Sequence, residues 1–350
     1  MRKTNIGGQG VLEGVMMRSK NISGLAVRKA SGEVKYSKEK IKMASDKYKI
    51  LRLPIIRGVV NLVDMMGMGV KTLTKSAKLY DEQSTDYEPS RFEKFVANKT
   101  GKDAMDIAMV FAVIVAIAMA VGLFFILPNF LAGLFNDVVE SDFLKNLISG
   151  GIRMVIFIGY IVIISLLKDI KRVYRYHGAE HKTISAYEHE EELTVENVRK
   201  YKTLHPRCGT SFMLLVMVIS VLLFSLLGWS DNLFIRIGLR LLMLPVVAGV
   251  SYEFLKFAAK GENLFFRIIR WPGMQLQRLT TAEPDDSMLE VGILAFEIAL
   301  GEKSDEEIEE LAKSFDRSPK KEEEIKEAEQ KDEAQETAES AAAVEADESA

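Results

Sequence analysis

Residues 105–127 read MDIAMVFAVIVAIAMAVGLFFIL. Asp106 is the only charged residue in this segment, which exceeds the roughly 20 apolar residues that an α-helix needs to cross a bilayer. Pro128 follows directly and is expected to end the helix, because proline cannot donate a backbone hydrogen bond. The chain therefore contains at least one membrane-spanning helix, around which the rest of the fold must be arranged.

Three further segments are apolar enough for a crossing. They are residues 148–167, 211–227 and 233–250, and only a short turn joins the last two. The predicted fold class is therefore an all-α polytopic membrane protein with about four transmembrane helices. Basic residues are concentrated before the first span and between the second and third. The positive-inside rule then predicts a multi-pass protein of the cell (inner) membrane with both termini in the cytoplasm.

Composition divides the chain into five predicted parts. Residues 1–50 form a small cytosolic β element, and residues 51–104 an amphipathic helix with a polar connector. Residues 105–250 form a four-span membrane domain. Interfacial and amphipathic helices follow at 251–301, and an acidic disordered tail at 302–350. The amphipathic helix begins at Pro54 and either lies on the membrane surface or dips into it. The interfacial helix is expected to end at Pro272. The tail begins with a possible capping box, Ser304 and Glu307, and then has almost nothing apolar to bury, which is typical of disorder or of a solvated helix.

All four histidines and the only cysteine lie between the second and third spans. The motif YHGAEHK places His177, Glu180 and His181 at positions i, i+3 and i+4, so that a helix would present all three on one face. The motif HPRCGT adds His205 and Cys208. Nitrogen and sulfur donors of this kind bind a borderline-soft divalent ion, and zinc is the expected one.

Membrane topology brings these donors together. The cytoplasmic loop at residues 168–210 is held at both ends by spans. The fourth span runs inward and brings Glu253 to the same inner membrane surface. The predicted metal ligands are His177 and His181 together with one of His205, Cys208 or Glu253 in an open site, or with both His205 and Cys208 in a closed one. His189 lies among glutamates and is interpreted as a solvated residue.

Two roles are open for Glu180. The order H-x-x-E-H is that of the inverted zincins, in which two histidines bind zinc and the glutamate acts on water. Glu180 would then be the catalytic general base. Alternatively, it accepts a hydrogen bond that orients a histidine.

Other charged residues also stand out. Arg153, Arg236 and Arg240 lie in the outer halves of predicted spans, and intramembrane charges are candidates for function. Snorkelling to the headgroups would explain Arg153 and Arg236, whereas Arg240 lies deeper. Glu13 and Arg18, near the N-terminus, are interpreted as solvent-facing charges on a strand.

Five motifs resemble the YqhQ-like family of bacterial membrane proteins, a domain of unknown function described as a predicted metal-dependent enzyme. They are GGQGVLEGVMMR, YHGAEHK, HPRCGTSF, PVVAGVSYE and PGMQLQRLTTAEP, at residues 7–18, 176–182, 205–212, 245–253 and 272–284. The resemblance covers about residues 5–300 and excludes the acidic tail. It implies a membrane protein with a metal site at His177, Glu180, His181, His205, Cys208 and Glu253, and it implies no substrate or reaction.

Two functions follow as hypotheses. The first is an integral inner-membrane protein with a divalent-metal site at its cytoplasmic face, working as a metal-dependent hydrolase with Glu180 as base. The alternative is a non-enzymatic scaffold or transport-related protein with a closed structural metal site. The expected partners are membrane lipid and an unknown membrane-associated substrate, and no nucleic acid is expected.

Overall fold

A computed structural model describes residues 4–44, 48–80, 104–206, 208–258, 261 and 263–319. Within these ranges the chain is mostly helical with a small N-terminal antiparallel sheet, which confirms that part of the predicted fold. The strands are β1 Gly7–Val11, β2 Gly14–Arg18, β3 Ile22–Arg28 and β4 Val34–Lys40, paired in chain order. The helices are α1 Ile56–Tyr80, α2 Ala104–Val121, α3 Leu127–Gly133, α4 Asp142–Ser165, α5 Lys168–Glu188, α6 Val195–Arg199, α7 Gly209–Ser225, α8 Leu233–Ala258, α9 Leu264–Thr280, α10 Asp286–Leu300 and α11 Asp305–Ser314.

Among the described residues, three helical segments are long and apolar enough to cross a membrane. They are Val110–Gly133, Asp142–Ser165 and Leu233–Ala258. The remaining predicted span corresponds to α7, which is apolar but has 17 residues. At about 1.5 Å per residue it covers roughly 25 Å of a hydrocarbon layer about 30 Å thick. A crossing by α7 therefore stays a prediction.

Pro128 does not end the first span, contrary to the prediction. A π-helical turn, Gly122–Ile126, joins α2 to α3, and Pro128 lies in the first turn of α3, where proline is tolerated. The carbonyl of Phe124 lacks the N–H that residue 128 would otherwise donate. Arg153 Nε donates to that carbonyl at 2.8 Å, so a side chain from α4 replaces the missing bond.

The arginines of the predicted spans form hydrogen bonds within the protein. Arg153, Arg236 and Arg240 are all buried. Arg236 donates to the backbone carbonyls of Asn129 and Ser230 at 3.0 and 2.9 Å, and Arg240 binds the side chains of Ser149 and Asn146. These bonds tie α3, α4 and α8 together at the ends of the spans far from α5.

Outside the spans, the sheet is covered on both faces. Along β2, Val15 and Met17 contact the core formed with α5 and α10, whereas Met16 contacts the residues of α1 on the other face. The run at residues 288–300, predicted as a short amphipathic helix, is instead buried from Met288 to Ala299 except at Glu297. Its N-cap is Asp285, whose side chain accepts the N–H of Met288. Helix α10 is therefore the central helix of the domain that the sheet forms with α1, α5 and α10.

Several predicted boundaries also change. Helix α9 continues through Pro272 to Thr280, and the predicted loop at 168–210 is largely the helices α5 and α6. Ser304 and Glu307 form the predicted capping box at the start of α11, and Ile308 is buried in the core, so the tail begins with a packed helix. The connector at 81–103 and the tail from residue 320 lie outside the described residues. A position of α1 on the membrane surface stays a prediction.

Strand β1 approaches α5 so closely that a methyl group would not fit between them. A Cβ on Gly10 would lie 2.5 Å from the Val173 carbonyl oxygen and 2.7 Å from the His177 nitrogen, whereas a Cβ on Gly7 would meet nothing within 4 Å. We therefore expect Gly10→Ala to lower the free energy of unfolding by about 1–3 kcal/mol, and Gly7→Ala to change it by less than ~0.5 kcal/mol. Thermal unfolding of the two purified variants, followed by circular dichroism, makes the comparison. Equal melting temperatures would contradict this close approach.

Candidate metal centre

The middle of α5 carries the candidate site. Helical spacing places His177, Glu180 and His181 on one face, and their exposed fractions are 9%, 4% and 1%. That face is covered by β1, by the end of α9 and by the segment that follows α6. The three side chains are thus enclosed by parts of the chain that are far apart in sequence.

Backbone carbonyls orient both histidine rings. His177 Nδ1 lies 2.8 Å from the carbonyl oxygen of Thr280, and His181 Nδ1 is hydrogen-bonded to the carbonyl of Thr203. Because a carbonyl oxygen can only accept, each Nδ1 carries a proton, and in the neutral ring Nε2 then carries a lone pair. His181 Nε2 is buried and has no hydrogen-bond partner among the described residues. This tautomer leaves both Nε2 atoms available as metal ligands.

Cys208 supplies the third donor. It is the N-cap residue of α7, and its Sγ lies 3.2 Å from His177 Nε2. His177, His181 and Cys208 each offer one ligand atom, and these three atoms lie within 4.8 Å of one another. Zinc bonds of about 2.0–2.1 Å to nitrogen and about 2.3 Å to sulfur place tetrahedral N and S ligands roughly 3.6 Å apart. Separations of up to 4.8 Å are wider than this spacing, so the three donors form a cluster that must tighten by about 1 Å to bind one zinc ion.

The thiol of Cys208 is not activated by its protein surroundings. Burial raises its pKa, and hydrogen bonds from the side chain and backbone N–H of Thr210 only partly oppose that effect. A cation bound beside the sulfur is the usual means of deprotonating such a thiol. The chemistry of this donor set is therefore that of a soft-ion ligand group.

Glu180 lies beside the donors with one oxygen engaged. Its Oε1 accepts the backbone N–H of Gly8 at 2.9 Å, and its Oε2 is buried without a hydrogen-bond partner among the described residues. Burial raises the pKa of Glu180 to about 7; His177 acts to lower it and Cys208 to raise it. A carboxyl group with this pKa can accept and release a proton near neutral pH.

His205 is near the cluster but is not one of its three converging donors. Its ring centroid lies 5.7 Å from that of His181, and its Nε2 lies 3.5 Å from Glu188 Oε2. Burial lowers the pKa of His205 to about 4, so the ring is neutral at pH 7. His205 is therefore available as a further ligand only if its side chain moves.

Gln277 is a positioning residue that the sequence reasoning missed. It is fully buried on α9, and its side-chain amide accepts the N–H of His205 at 2.9 Å and donates to the His205 carbonyl at 2.8 Å. The amide also donates to Ser211 Oγ at 3.0 Å. No spacing rule identifies this residue, although it lies inside the quoted motif at residues 272–284.

Glu253 lies apart from the donors. Both of its carboxylate oxygens bind Arg57 of α1, and this ion pair ties α1 to α8. Membrane depth alone suggested that Glu253 would join the site, but the direction in which its side chain leaves α8 leads to α1. The structure does not bring it to the histidines.

The interpretation of Glu13 as a solvent-facing charge is wrong. Its side chain is 11% exposed, forms a bidentate ion pair with Arg172 of α5, and accepts a hydrogen bond of 3.2 Å from the Tyr176 hydroxyl. Arg18 points the other way and donates to the sulfur of Met68 in α1 at 3.6 Å. The N-terminal hairpin is thereby fastened to α5, which places Gly8 against Glu180.

Comparisons with known proteins agree with the motif resemblance. A family model described as a protein of unknown function, DUF1385, matches residues 53–302. The uncharacterized protein YqhQ of Bacillus subtilis (strain 168) is 32% identical over 293 residues, which represent 83% of this chain and 90% of that protein. No solved structure matches the chain. The predicted YqhQ-like family is therefore confirmed.

Proposed function

Because the chain belongs to the DUF1385 family, whose function is unknown, we propose a function from the site itself. The protein is an integral membrane protein that holds one divalent metal ion, zinc, beside the membrane and acts as a metal-dependent hydrolase. The observation that carries this proposal is the buried, unpartnered Nε2 of His181 next to His177 and Cys208.

His177, His181 and Cys208 would hold the ion. The carbonyls of Thr280 and Thr203 keep the two rings in the required tautomer and orientation, which is the usual arrangement behind histidine ligands. Bound zinc would supply Lewis acidity and stabilise the Cys208 thiolate. Three protein ligands with a fourth position left open are typical of catalytic rather than structural zinc.

Glu180 would serve as the general base. Its unpartnered Oε2 takes a proton from water while the water oxygen forms a bond to the electrophilic carbon or phosphorus of the substrate. The same carboxyl group then gives this proton to the leaving group as the scissile bond breaks. Each step uses a protonation state that Glu180 can adopt near neutral pH, given its pKa of about 7.

A closed structural site is the second candidate, and the position of His205 favours it. The ring of His205 is 5.7 Å from that of His181, so a rotation of its side chain could supply a fourth ligand. Glu180 would then serve only to receive the N–H of Gly8 and to hold β1 against α5. The two candidates differ in what they expect from replacement of Glu180.

Metal analysis of the purified protein tests both candidates together. We expect about one zinc per chain, the stoichiometry of a single three-ligand or four-ligand site. The full-length protein should be purified through a non-histidine affinity tag, without chelator, from cells supplied with zinc, and measured by plasma mass spectrometry. A metal content far below one ion per chain would overturn the metal site in either form.

We further propose that α7 crosses the membrane as a fourth span. With four crossings in the cell membrane both termini lie on the same side, and the basic residues favour the cytoplasm. Helix α1, with its apolar stripe, would lie along the inner surface. A C-terminal green fluorescent protein should then fluoresce, and alkaline phosphatase fused after Asp231 should be active. A fluorescent fusion after Asp231 would contradict this topology.

A further inference from the structure

An apolar groove of about 540 Å³ runs along α7, opposite the C-terminal end of α8 and the middle of α9. Its walls are mostly aliphatic, and α7 contributes Leu214, Leu215, Val218, Ile219 and Leu222. From Ser211 to Leu222 the helix extends for roughly 16 Å, at about 1.5 Å per residue. A groove of this length and composition suits a hydrocarbon chain.

One end of the groove belongs to the wall of the metal centre. Pro206 and Ser211 line it, and they lie on either side of Cys208 in the sequence. Ser211 Oγ accepts a hydrogen bond from Gln277, the same side chain that holds the backbone of His205. A molecule in the groove would therefore end next to the segment that carries the cysteine donor.

The charged residues that line the groove are basic. They are Lys256 and Arg270, and no acidic residue is part of the described lining. Arg270 donates to the carbonyls of Phe266 and Gly261, which are neutral, and it forms no ion pair among the described residues. This environment is complementary to an anionic headgroup.

Helix α9 has the character of a membrane-surface helix. Its sequence contains three arginines and no acidic residue. Its N-terminal half exposes Leu264, Phe265, Ile268 and Trp271, with exposed fractions between 57% and 69%. A helix with exposed large apolar side chains and basic charge binds at the interface of anionic membranes. The groove beside it would therefore open at the level of lipid headgroups.

We propose that this groove binds an anionic phospholipid, with an acyl chain along α7 and the phosphate beside Lys256 and Arg270. Lipids of this class are then the substrates presented to the metal centre, and this second part rests on the proposed hydrolase function. Each basic residue near an anionic lipid surface contributes about 1 kcal/mol, or roughly fivefold. Two such residues should give roughly 10-fold to 30-fold selection over a zwitterionic lipid.

Photocrosslinking in nanodiscs tests the binding. The full-length protein is reconstituted in phosphatidylcholine nanodiscs that contain a trace of a photoreactive lipid. This lipid is either phosphatidylglycerol or phosphatidylcholine, and in both cases it carries a diazirine in one acyl chain. Mass spectrometry of peptides then locates the crosslinks. We expect roughly 10-fold more crosslinking by phosphatidylglycerol, on groove residues such as Val218 and Leu255. Equal crosslinking by the two lipids, or even labelling around α7, would overturn the proposal.

Two variants of α7 provide a matched comparison. Val218 lines the groove and is 43% exposed, whereas Met213 is 41% exposed and is not part of the lining. Val218→Trp should lower phosphatidylglycerol crosslinking at least fivefold, and Met213→Trp should leave it unchanged. A similar loss in both variants would mean that the label reports general lipid contact.

The charge argument has its own comparison. The double variant Lys256→Gln with Arg270→Gln should reduce the preference for phosphatidylglycerol to about onefold, because two contributions of about 1 kcal/mol are removed. Arg267→Gln, an exposed residue of the same helix outside the groove, should keep the preference. Retained preference in the double variant would overturn the assigned headgroup position.

Metal content measured on the same nanodiscs separates this inference from the proposed function. A protein that selects phosphatidylglycerol but holds no zinc supports lipid binding and overturns the metal-dependent hydrolase, including the substrate role of the lipid. A protein that holds zinc and does not select phosphatidylglycerol overturns the lipid proposal alone.

Discussion

His181→Ala is expected to lower bound zinc from about one ion per chain to less than about a tenth. Structural zinc sites bind with about 10–16 kcal/mol in total, so removal of one ligand of three should cost roughly 3–5 kcal/mol, or about 10²-fold to 10⁴-fold in affinity. The buried Nε2 of His181 has no hydrogen-bond partner to lose among the described residues. Plasma mass spectrometry of the purified variant measures the effect.

His189→Ala is the matched control for this prediction. His189 caps the C-terminus of the same helix, is exposed, and donates from Nδ1 to the carbonyl of Ser185 at 2.7 Å. Its replacement should leave zinc unchanged. Because His181→Ala also leaves the Thr203 carbonyl without its partner, folding must be followed separately. Chelation should lower the melting temperature of the wild type and leave that of His181→Ala unchanged; full zinc in His181→Ala would place the ion elsewhere.

The donor cluster was predictable because it depends on local spacing. Positions i and i+4 share a helix face whatever the tertiary fold, which brings His177 and His181 together. Cys208 could be added because the predicted third span begins beside it, at the predicted membrane surface where the second span ends. Glu253 met the same depth criterion and yet binds Arg57. Membrane topology specifies only how deep a residue lies along the membrane normal. The direction in which its side chain points depends on the rotation of the helix about its own axis, which no spacing rule supplies.

The domain outside the spans was harder to predict because its elements are buried on several sides. In β2, Val15, Met16 and Met17 are all buried, so the two-residue alternation of a half-exposed strand is absent. Helix α10 is likewise buried around most of its surface, which removes the amphipathic pattern that marks a helix. The sequence therefore indicated isolated small elements where the structure has one sheet enclosed by α1, α5 and α10.

The positions at Pro128 and Gln277 show why long-range polar contacts escaped prediction. Proline is expected to end a helix, but Arg153 from α4 donates to the carbonyl that Pro128 leaves unpaired. Gln277 holds the backbone of His205 from a separate helix. In both cases the stabilising partner is distant in sequence, and its identity becomes evident only when the helices are packed.

Glu180→Gln is expected to leave zinc and fold intact while hydrolysis falls by about 10²-fold to 10⁴-fold, the usual contribution of a general base. The substitution keeps the shape of the side chain, and the amide oxygen can still accept the N–H of Gly8. It removes the proton-accepting carboxylate oxygen. Because Glu180 is buried, loss of its charge should not destabilise the protein, and the melting temperature should change by no more than about 2 °C.

Turnover can be measured with two small probes, p-nitrophenyl butyrate and bis(p-nitrophenyl) phosphate, which represent carboxylic and phosphoric esters. Glu192→Gln replaces an exposed glutamate beyond the end of α5; it is the control and should retain wild-type turnover and zinc. Full activity in Glu180→Gln with zinc retained would exclude Glu180 as the base. Loss of zinc in Glu180→Gln would instead make its carboxylate a ligand, which would contradict both the base role and the closed site with His205. Only retained zinc together with lost turnover fits an open, catalytic ion, because a closed site has no position at which a base could act on water.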